Sequence, residues 1–338
     1  MRKLASIRQI DEIKPIPNAD AICAYRIDGW WVVDKIDRYS VGDHVVYFEI
    51  DSWIPHELAP FLSKGKEPRE FNGVPGERVR TIKLRGQVSQ GLILPLEDFS
   101  LPSFISLECG VDLTEHLAIQ KYEKPISASI GGSARGNFPS FIPKTDQERA
   151  QNLVQNIIGW YHLNLDFEVS EKLDGSSCTI YFRDGDIGVC SRNLDLKEDE
   201  GNVFWAAAKN DALIDLLSVL KRNIALQGEV IGPKIQKNAY NLSKPTFYLF
   251  DIFDIDQNRY YTPSERNEFV KSFSVLHVPV VDKSTKLPSH DVQDLLKFAE
   301  GKSTLNKNAN REGIVFKCHS DSSISFKAIS NKWLLKNE

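Results

Sequence analysis

The sequence predicts two domains: an all-β barrel of the OB type, then an α+β domain with largely antiparallel sheets. Three observations carry that prediction. At 338 residues the chain is longer than one core usually serves. Residues 1 to about 110 hold short β-branched stretches separated by Gly and Pro, the texture of a small barrel. From residue 143 onward, strand-like and helix-like patterns are mixed. The stretch between is rich in Gly, Ser and Pro, so the expected domains are 1–118 and 143–338, with a linker at 119–142.

In the first domain "AICAYRIDGWWVVDK" reads as a strand, a Gly turn and a second strand. "VGDHVVYFEIDSWIP" and "VRTIKLRGQVSQGLILPL" add further short strands, and the stretch between them reads as a polar loop with one helical turn. In the second domain, residues 145–159 combine a Thr-Asp cap signal, apolar positions at helical spacing and a terminating Gly, which predicts a helix. Strands are expected at 166–171, 177–183 and 186–191, the last two joined by an Asp-Gly-Asp turn. A helix at 203–221 and strands at 223–231 and 246–254 follow. Helices at 263–273 and 290–301 and strands at 312–318 and 323–329 complete the pattern. There is no fixed-period repeat, no P-loop and no G-x-G-x-x-G.

Composition narrows the class without naming a function. A hydrophobic content of 41% and a mean hydropathy of -0.31 describe a globular chain rather than a disordered one. No apolar run is long enough for a membrane span, and charges interrupt the N-terminal stretch where a signal peptide would be apolar. The five cysteines are scattered without a C-x-x-C pair, which argues against both a disulfide framework and structural zinc. An intracellular setting, cytoplasmic or nuclear, is therefore expected. The seven histidines form no ligand-spaced cluster, and the net charge of -4 neither points to nor excludes nucleic acid.

Chemistry enters with "FEVSEKLDGSSCTIYF", residues 167–182, where Lys172 stands two residues ahead of an Asp-Gly turn. Lysine has an unperturbed pKa near 10.4, so it is a poor nucleophile at neutral pH until its surroundings favour the neutral amine. Alone, K-x-D-G is a common pattern and reads equally well as a solvated lysine beside a turn. Downstream, in order, come "CSRN" (190–193), "LQGEVIGPKIQKNAY" (226–240), "FYLFDIFD" (247–254), "EGIVFK" (312–317) and "SFKAISNKW" (325–333). Each places a charged or aromatic side chain in or at the end of an expected strand.

This ordered set resembles the covalent nucleotidyltransferases: DNA and RNA ligases and capping enzymes. In that superfamily the K-x-D-G lysine attacks the α-phosphorus of a nucleoside triphosphate. The resemblance implies Lys172 as nucleophile and a catalytic set of Asp174, Glu229, Glu312 and Lys327. Asp174, Glu229 and Glu312 would hold Mg2+ or Mn2+, directly or through water. Nucleotide-binding positions would be Glu171, Lys172, Arg192, Asn193, Glu229, Lys327 and Lys332, with Phe247 stacking on the purine. Glu229 is open to a second role, accepting from a ribose hydroxyl.

Within the superfamily the pattern is most similar to ATP-dependent RNA ligases with an N-terminal OB domain. "GEVIGPKIQ" looks like the corresponding RNA-ligase segment, and "PKTDQERAQN" adds Lys144 and Arg149 as triphosphate or RNA contacts. Eleven residues follow Lys327, leaving no room in this chain for the further OB domain of DNA ligases and capping enzymes. Some RNA ligases carry a second lysine at the position of Ile329; here Lys332 or Lys317 is the alternative. The expected activity is joining of RNA 3′-hydroxyl and 5′-phosphate ends through lysyl-AMP and RNA-adenylate, at nicks in paired RNA, by a monomer. A GTP-using capping-type guanylyltransferase and a non-catalytic RNA-binding module are the alternatives.

Overall fold

A computed structural model describes residues 2–123, 133–199 and 201–337. The chain divides into two compact units, residues 1–124 with 334–338, and residues 125–333.

The first unit is all-β. Its strands are β1 (Ala5–Gln9), β2 (Glu12–Pro15), β3 (Ile22–Ile27), β4 (Trp30–Lys35), β5 (His44–Phe48), β6 (Ser52–Pro55), β7 (Arg69–Phe71), β8 (Val74–Arg78), β9 (Thr81–Leu84), β10 (Gln87–Gln90), β11 (Leu92–Pro95) and β12 (Gln120–Lys121). They form small sheets ordered β1-β5-β11, β2-β3-β4, β10-β9 and β12-β6-β8-β7. Alternation buries Ala24, Val32, Val46 and Phe48, with Tyr25 and Trp30, in its core. The expected polar loop contains one 3-10 turn, Pro60–Ser63, and also the hairpin β7–β8.

The second unit holds β13 (Ala134–Asn137), β14 (Glu148–Arg149), β15 (Phe167–Lys172), β16 (Ser176–Arg183), β17 (Asp186–Cys190), β18 (Leu194–Leu196), β19 (Ile224–Ile231), β20 (Thr246–Asp254), β21 (Arg259–Tyr260), β22 (Val280–Thr285), β23 (Gly313–Cys318) and β24 (Ser325–Ile329). Its helices are α1 (Val154–His162), α2 (Val203–Asn210), α3 (Leu213–Leu220), α4 (Pro263–Phe273) and α5 (Val292–Ala299); α6 (Asn331–Asn337) follows β24. Seven strands run in the order β13-β18-β17-β16-β19-β20-β21, and five in the order β14-β24-β23-β15-β22. Every strand pairing in these two sheets is antiparallel except β14 with β24.

Each sheet is backed by helices on one face. Cys178, Ile180, Leu226, Val230, Phe247 and Leu249 pack with Phe204 and Leu217 of α2 and α3. Phe167, Val169, Ile314, Phe316 and Phe326 pack with Ile157 of α1 and with Leu295 and Leu296 of α5. Burial of a side chain this size is worth about 1.5–3 kcal/mol, so these two faces hold the layers together. The opposite faces of the sheets look at each other and form the groove that holds the site.

The α+β reading and most element positions hold; α4 covers the expected 263–273, with Pro263 in its first turn and a Thr262–Glu265 capping box. Three expectations differ. Instead of one helix over 145–159, the chain forms β14, a 3-10 turn at Ala150–Asn152 and then α1, because Glu148 and Arg149 pair with Phe326 and Lys327. The expected helix at 203–221 breaks at Ala212, whose φ is 54°. The break is tied down by Asp211, whose carboxylate accepts from the Phe247 N–H at 2.9 Å. Within the expected linker, β12 and β13 are ordered strands, whereas 124–132 lies outside the described residues. The cysteines are all free, and only Cys109 is exposed. Among the described residues no helix is long and apolar enough to cross a membrane.

Candidate active site

Lys172 ends β15, and strand alternation sets its direction. Residues 168, 170 and 172 share the groove face of the five-stranded sheet. Ser170 pairs with Val315, Val315 with Lys327, and Lys327 with Arg149, so one row across that face ends in two cations. On the facing sheet, Ser177 pairs with Glu229 and Glu229 with Tyr248. The turn between β15 and β16 has to be tight here. A Cβ on Gly175 would stand 2.5 Å from the Val230 carbonyl oxygen and 2.8 Å from Glu229 Cγ, so only glycine fits the second half of the Asp-Gly pair.

The Lys172 ammonium donates to Glu312 Oε2 at 2.8 Å, with side-chain exposures of 27% and 12%. Burial pulls the Lys172 pKa down, but Glu312, Glu229 and Asp174 outweigh it, and the amine sits above the ordinary lysine range. Burial pushes Glu229 up to about 8; Lys172 and the Gly175 N–H pull it back, while Glu312 and Asp174 push it further. Tyr240 Oη accepts from the Asp174 N–H at 2.7 Å and fixes the Asp-Gly backbone. The site thus holds more negative than positive charge around one amine.

That donor set suits a hard divalent cation, which takes carboxylate, phosphate and water oxygens together. Among the described residues, however, no three His, Cys, Asp or Glu side chains form an all-protein metal site. Asp174, Glu229 and Glu312, expected to hold a metal directly or through water, all act on the charge of Lys172.

Other expected residues are distributed unevenly. Arg192 meets Asp146 at 2.5 Å, and Lys144 Nζ donates to Asn193 Oδ1 at 2.9 Å. Glu171 lies on the other face of β15, where Oε2 accepts from the Thr304 N–H at 2.8 Å and braces the loop leading to Glu312. Lys332 is largely exposed and bonded to Glu300 at 2.6 Å rather than to the carboxylate cluster. Lys317 donates to the Phe250 carbonyl at 2.6 Å and pairs with Asp251.

Phe247, the expected base platform, is 1% exposed and belongs to the helix-backed core. It pairs with Val230, so it faces away from the groove. Tyr248 is the ring beside Glu229. A bulge between Gln227 and Gly228 leaves Phe250 as an extra residue, and Tyr248 and Phe250 both pack against Leu173, Ile231, Tyr240 and Val278. Sequence reasoning missed Tyr248, Tyr240 and Asp146. The alternation that would have separated Tyr248 from Phe247 was present, but nothing local fixed its phase.

A lysine with carboxylates acting on its charge, between two sheets each backed by helices, is what the ordered motifs bring together. The comparisons narrow this. A family model described as RNA ligase matches residues 165–333, and an OB-fold domain model matches residues 4–96. A variant of Naegleria gruberi RNA ligase solved without ligand is 48% identical, with a TM-score of 0.93 and coverage of 99% of each chain. A second variant solved with ATP and Mn, and the same ligase with PPi, are each 48% identical with a TM-score of 0.92 and 99% coverage of both chains. Among curated proteins, none matches the sequence significantly. The chain belongs to the RNA ligase family.

Proposed function

We propose that the protein is an ATP-dependent RNA ligase that joins 3′-hydroxyl and 5′-phosphate ends at nicks in paired RNA. Lysyl-AMP and RNA-adenylate are its intermediates. The observation that carries this reading is Lys172 in contact with Glu312 and within the field of Glu229 and Asp174, at the head of a groove lined with Arg149 and Lys327.

Lys172 Nζ, as the free amine, forms an N–P bond to the α-phosphorus of ATP while the bond to the bridging oxygen breaks and pyrophosphate leaves. An oxygen of the RNA 5′-phosphate then attacks the same phosphorus, the P–N bond breaks and Nζ regains a proton. Attack of the RNA 3′-hydroxyl on the 5′-phosphorus expels AMP and completes the seal. Catalysis of such steps rests on positioning and on stabilising charge as it develops on phosphate oxygens.

Lys327 and Arg149 meet the α-phosphate oxygens, and Tyr248 with Phe250 offers the purine an aromatic wall. Arg192 with Asn193 takes the ribose and later the 5′-phosphate. Asp174, Glu229 and Glu312 would hold Mg2+ or Mn2+ together with phosphate and water oxygens, which supplies neutralisation of the pyrophosphate charge. With their charge so engaged, the carboxylates no longer keep the proton on Lys172.

Incubation with α-labelled ATP or GTP, followed by a denaturing gel, tests the reading. Covalent label from ATP is expected, lost in Lys172→Ala. Label from GTP alone would sink the ligase assignment. Sealing of nicked duplexes with each strand changed from RNA to DNA tests the RNA assignment, which fails if a wholly DNA 3′-hydroxyl strand is joined as well as RNA.

A further inference from the structure

The segment 143–149 crosses the groove from one sheet to the other. Gln227 Nε2 donates to the Pro143 carbonyl at 2.8 Å, Lys144 donates to Asn193, and Thr145 Oγ1 bonds Ser177 Oγ at 2.8 Å. Three residues on, Glu148 and Arg149 join the five-stranded sheet beside Phe326 and Lys327. Asp146 lies between these anchors. Its backbone is therefore anchored on both sides, and its carboxylate meets the Arg192 guanidinium at 2.5 Å. Side-chain exposures of 36% for Arg192 and 53% for Asp146 leave the pair open to exchange with an incoming anion.

We propose that Asp146 is an internal competitor for the RNA 5′ end, an anion that occupies Arg192 until a terminal phosphate displaces it. This rests on the reading of Arg192 as the 5′-phosphate contact. A 5′-phosphomonoester carries close to two charges at neutral pH and several acceptor oxygens, and it matches the guanidinium fork in two-point contacts. It outcompetes a single carboxylate. An internal phosphodiester carries one charge, like the carboxylate it would replace, and gains nothing by the exchange. A 5′-hydroxyl end offers no anion at all. Asp146 thereby keeps Arg192 from engaging the internal phosphodiesters of unbroken RNA, at the cost of a little affinity for the right end.

The test compares equilibrium binding of nicked RNA duplexes bearing a 5′-phosphate or a 5′-hydroxyl to wild type and to Asp146→Asn. In wild type the 5′-phosphate end is preferred. In Asp146→Asn the neutral amide no longer competes, so binding of the 5′-phosphate duplex tightens roughly two- to fivefold, the range an exposed ion pair can carry, while the 5′-hydroxyl duplex is unmoved and the preference grows. In an Arg192→Ala background the same substitution changes the preference by less than about twofold if Arg192 is the route. An unchanged or diminished preference in Asp146→Asn would overturn the proposal, because a residue that merely orients Arg192 would weaken 5′-phosphate binding when neutralised. A full effect persisting without Arg192 would overturn it as well. Failure of the wild type to take label from α-labelled ATP is a different result, and it removes the ligase reading itself.

Discussion

Two lysines on one face of the five-stranded sheet meet opposite fates. Lys172 and Lys317 both project into the groove, from β15 and β23. Around Lys172 stand three carboxylates, and its pKa is raised. Lys317 is 7% exposed, and burial pulls its pKa down to about 8 against the pull of Asp251, with Arg266 adding to the fall. Its neighbours form a network: Arg266 pairs with Glu168, Asn267 Nδ2 donates to Glu168 Oε2 at 2.8 Å, and Arg266 Nε donates to His277 Nε2 at 2.9 Å. His277 is neutral, its pKa lowered to about 3 by burial and Arg266, so its Nδ1–H donates to the Val278 carbonyl. Two cations thus face two anions. The difference teaches that charge balance separates the two lysines: around Lys317 two cations are matched by two anions, while around Lys172 three carboxylates act on one amine, the excess on which its proposed role draws.

Four experiments would break or sharpen that contrast. The largest effect is expected from Lys172→Ala, which should abolish covalent labelling by ATP outright while urea unfolding shows a cooperative fold. Lys317→Met should do the reverse in kind, lowering stability by about 3–5 kcal/mol because Asp251 loses the cation in contact with it and keeps only Arg266 at 3.8 Å. If Lys317→Met unfolds at the wild-type urea midpoint, the network is not what holds the sheets. A third experiment separates adjacent aromatics. Phe247→Ala should cost about 3–5 kcal/mol of stability as a core truncation. Tyr248→Ala should weaken ATP binding by about 1–3 kcal/mol as a lost stacking surface, read by calorimetry. Exchanged effects would mean that the register of β19 and β20 has been assigned to the wrong face.

The smallest effect concerns pH. Glu229 is pushed up to about 8 in the folded protein, above its ordinary carboxylate value. Between that ordinary value and about 8 the folded state binds more protons than the unfolded state, so this group's contribution to stability is full below the window and fades as pH rises through 8. Without divalent metal, wild-type melting temperature should therefore fall across this window more steeply than that of Glu229→Gln. Saturating Mn2+ should flatten the wild-type slope. Equal slopes in both proteins without metal would contradict the charge excess around Lys172.

Much of this molecule was legible in its residues. Strand and helix positions in the second unit followed from alternation, helical spacing and caps, as in Thr262-Pro263 ahead of α4, because those signals act over a few residues. Lys172, Arg192, Glu229, Glu312 and Lys327 were readable as an ordered set through the resemblance of their motifs to the covalent nucleotidyltransferases, which depends on side-chain types and order along the chain. Tertiary structure decided what depended on distant partners. Pairing with β24 converted the start of a predicted helix into a strap, a hydrogen bond from the Phe247 N–H to Asp211 tied down a helix break, and the register of β20 on β19 set which of two neighbouring aromatics stands beside Glu229. The same holds for the two lysines. Sequence named both as cations, but only the count of carboxylates and cations that folding gathers around each one sets the direction in which its pKa moves, because electrostatic work depends on distance in space and not along the chain.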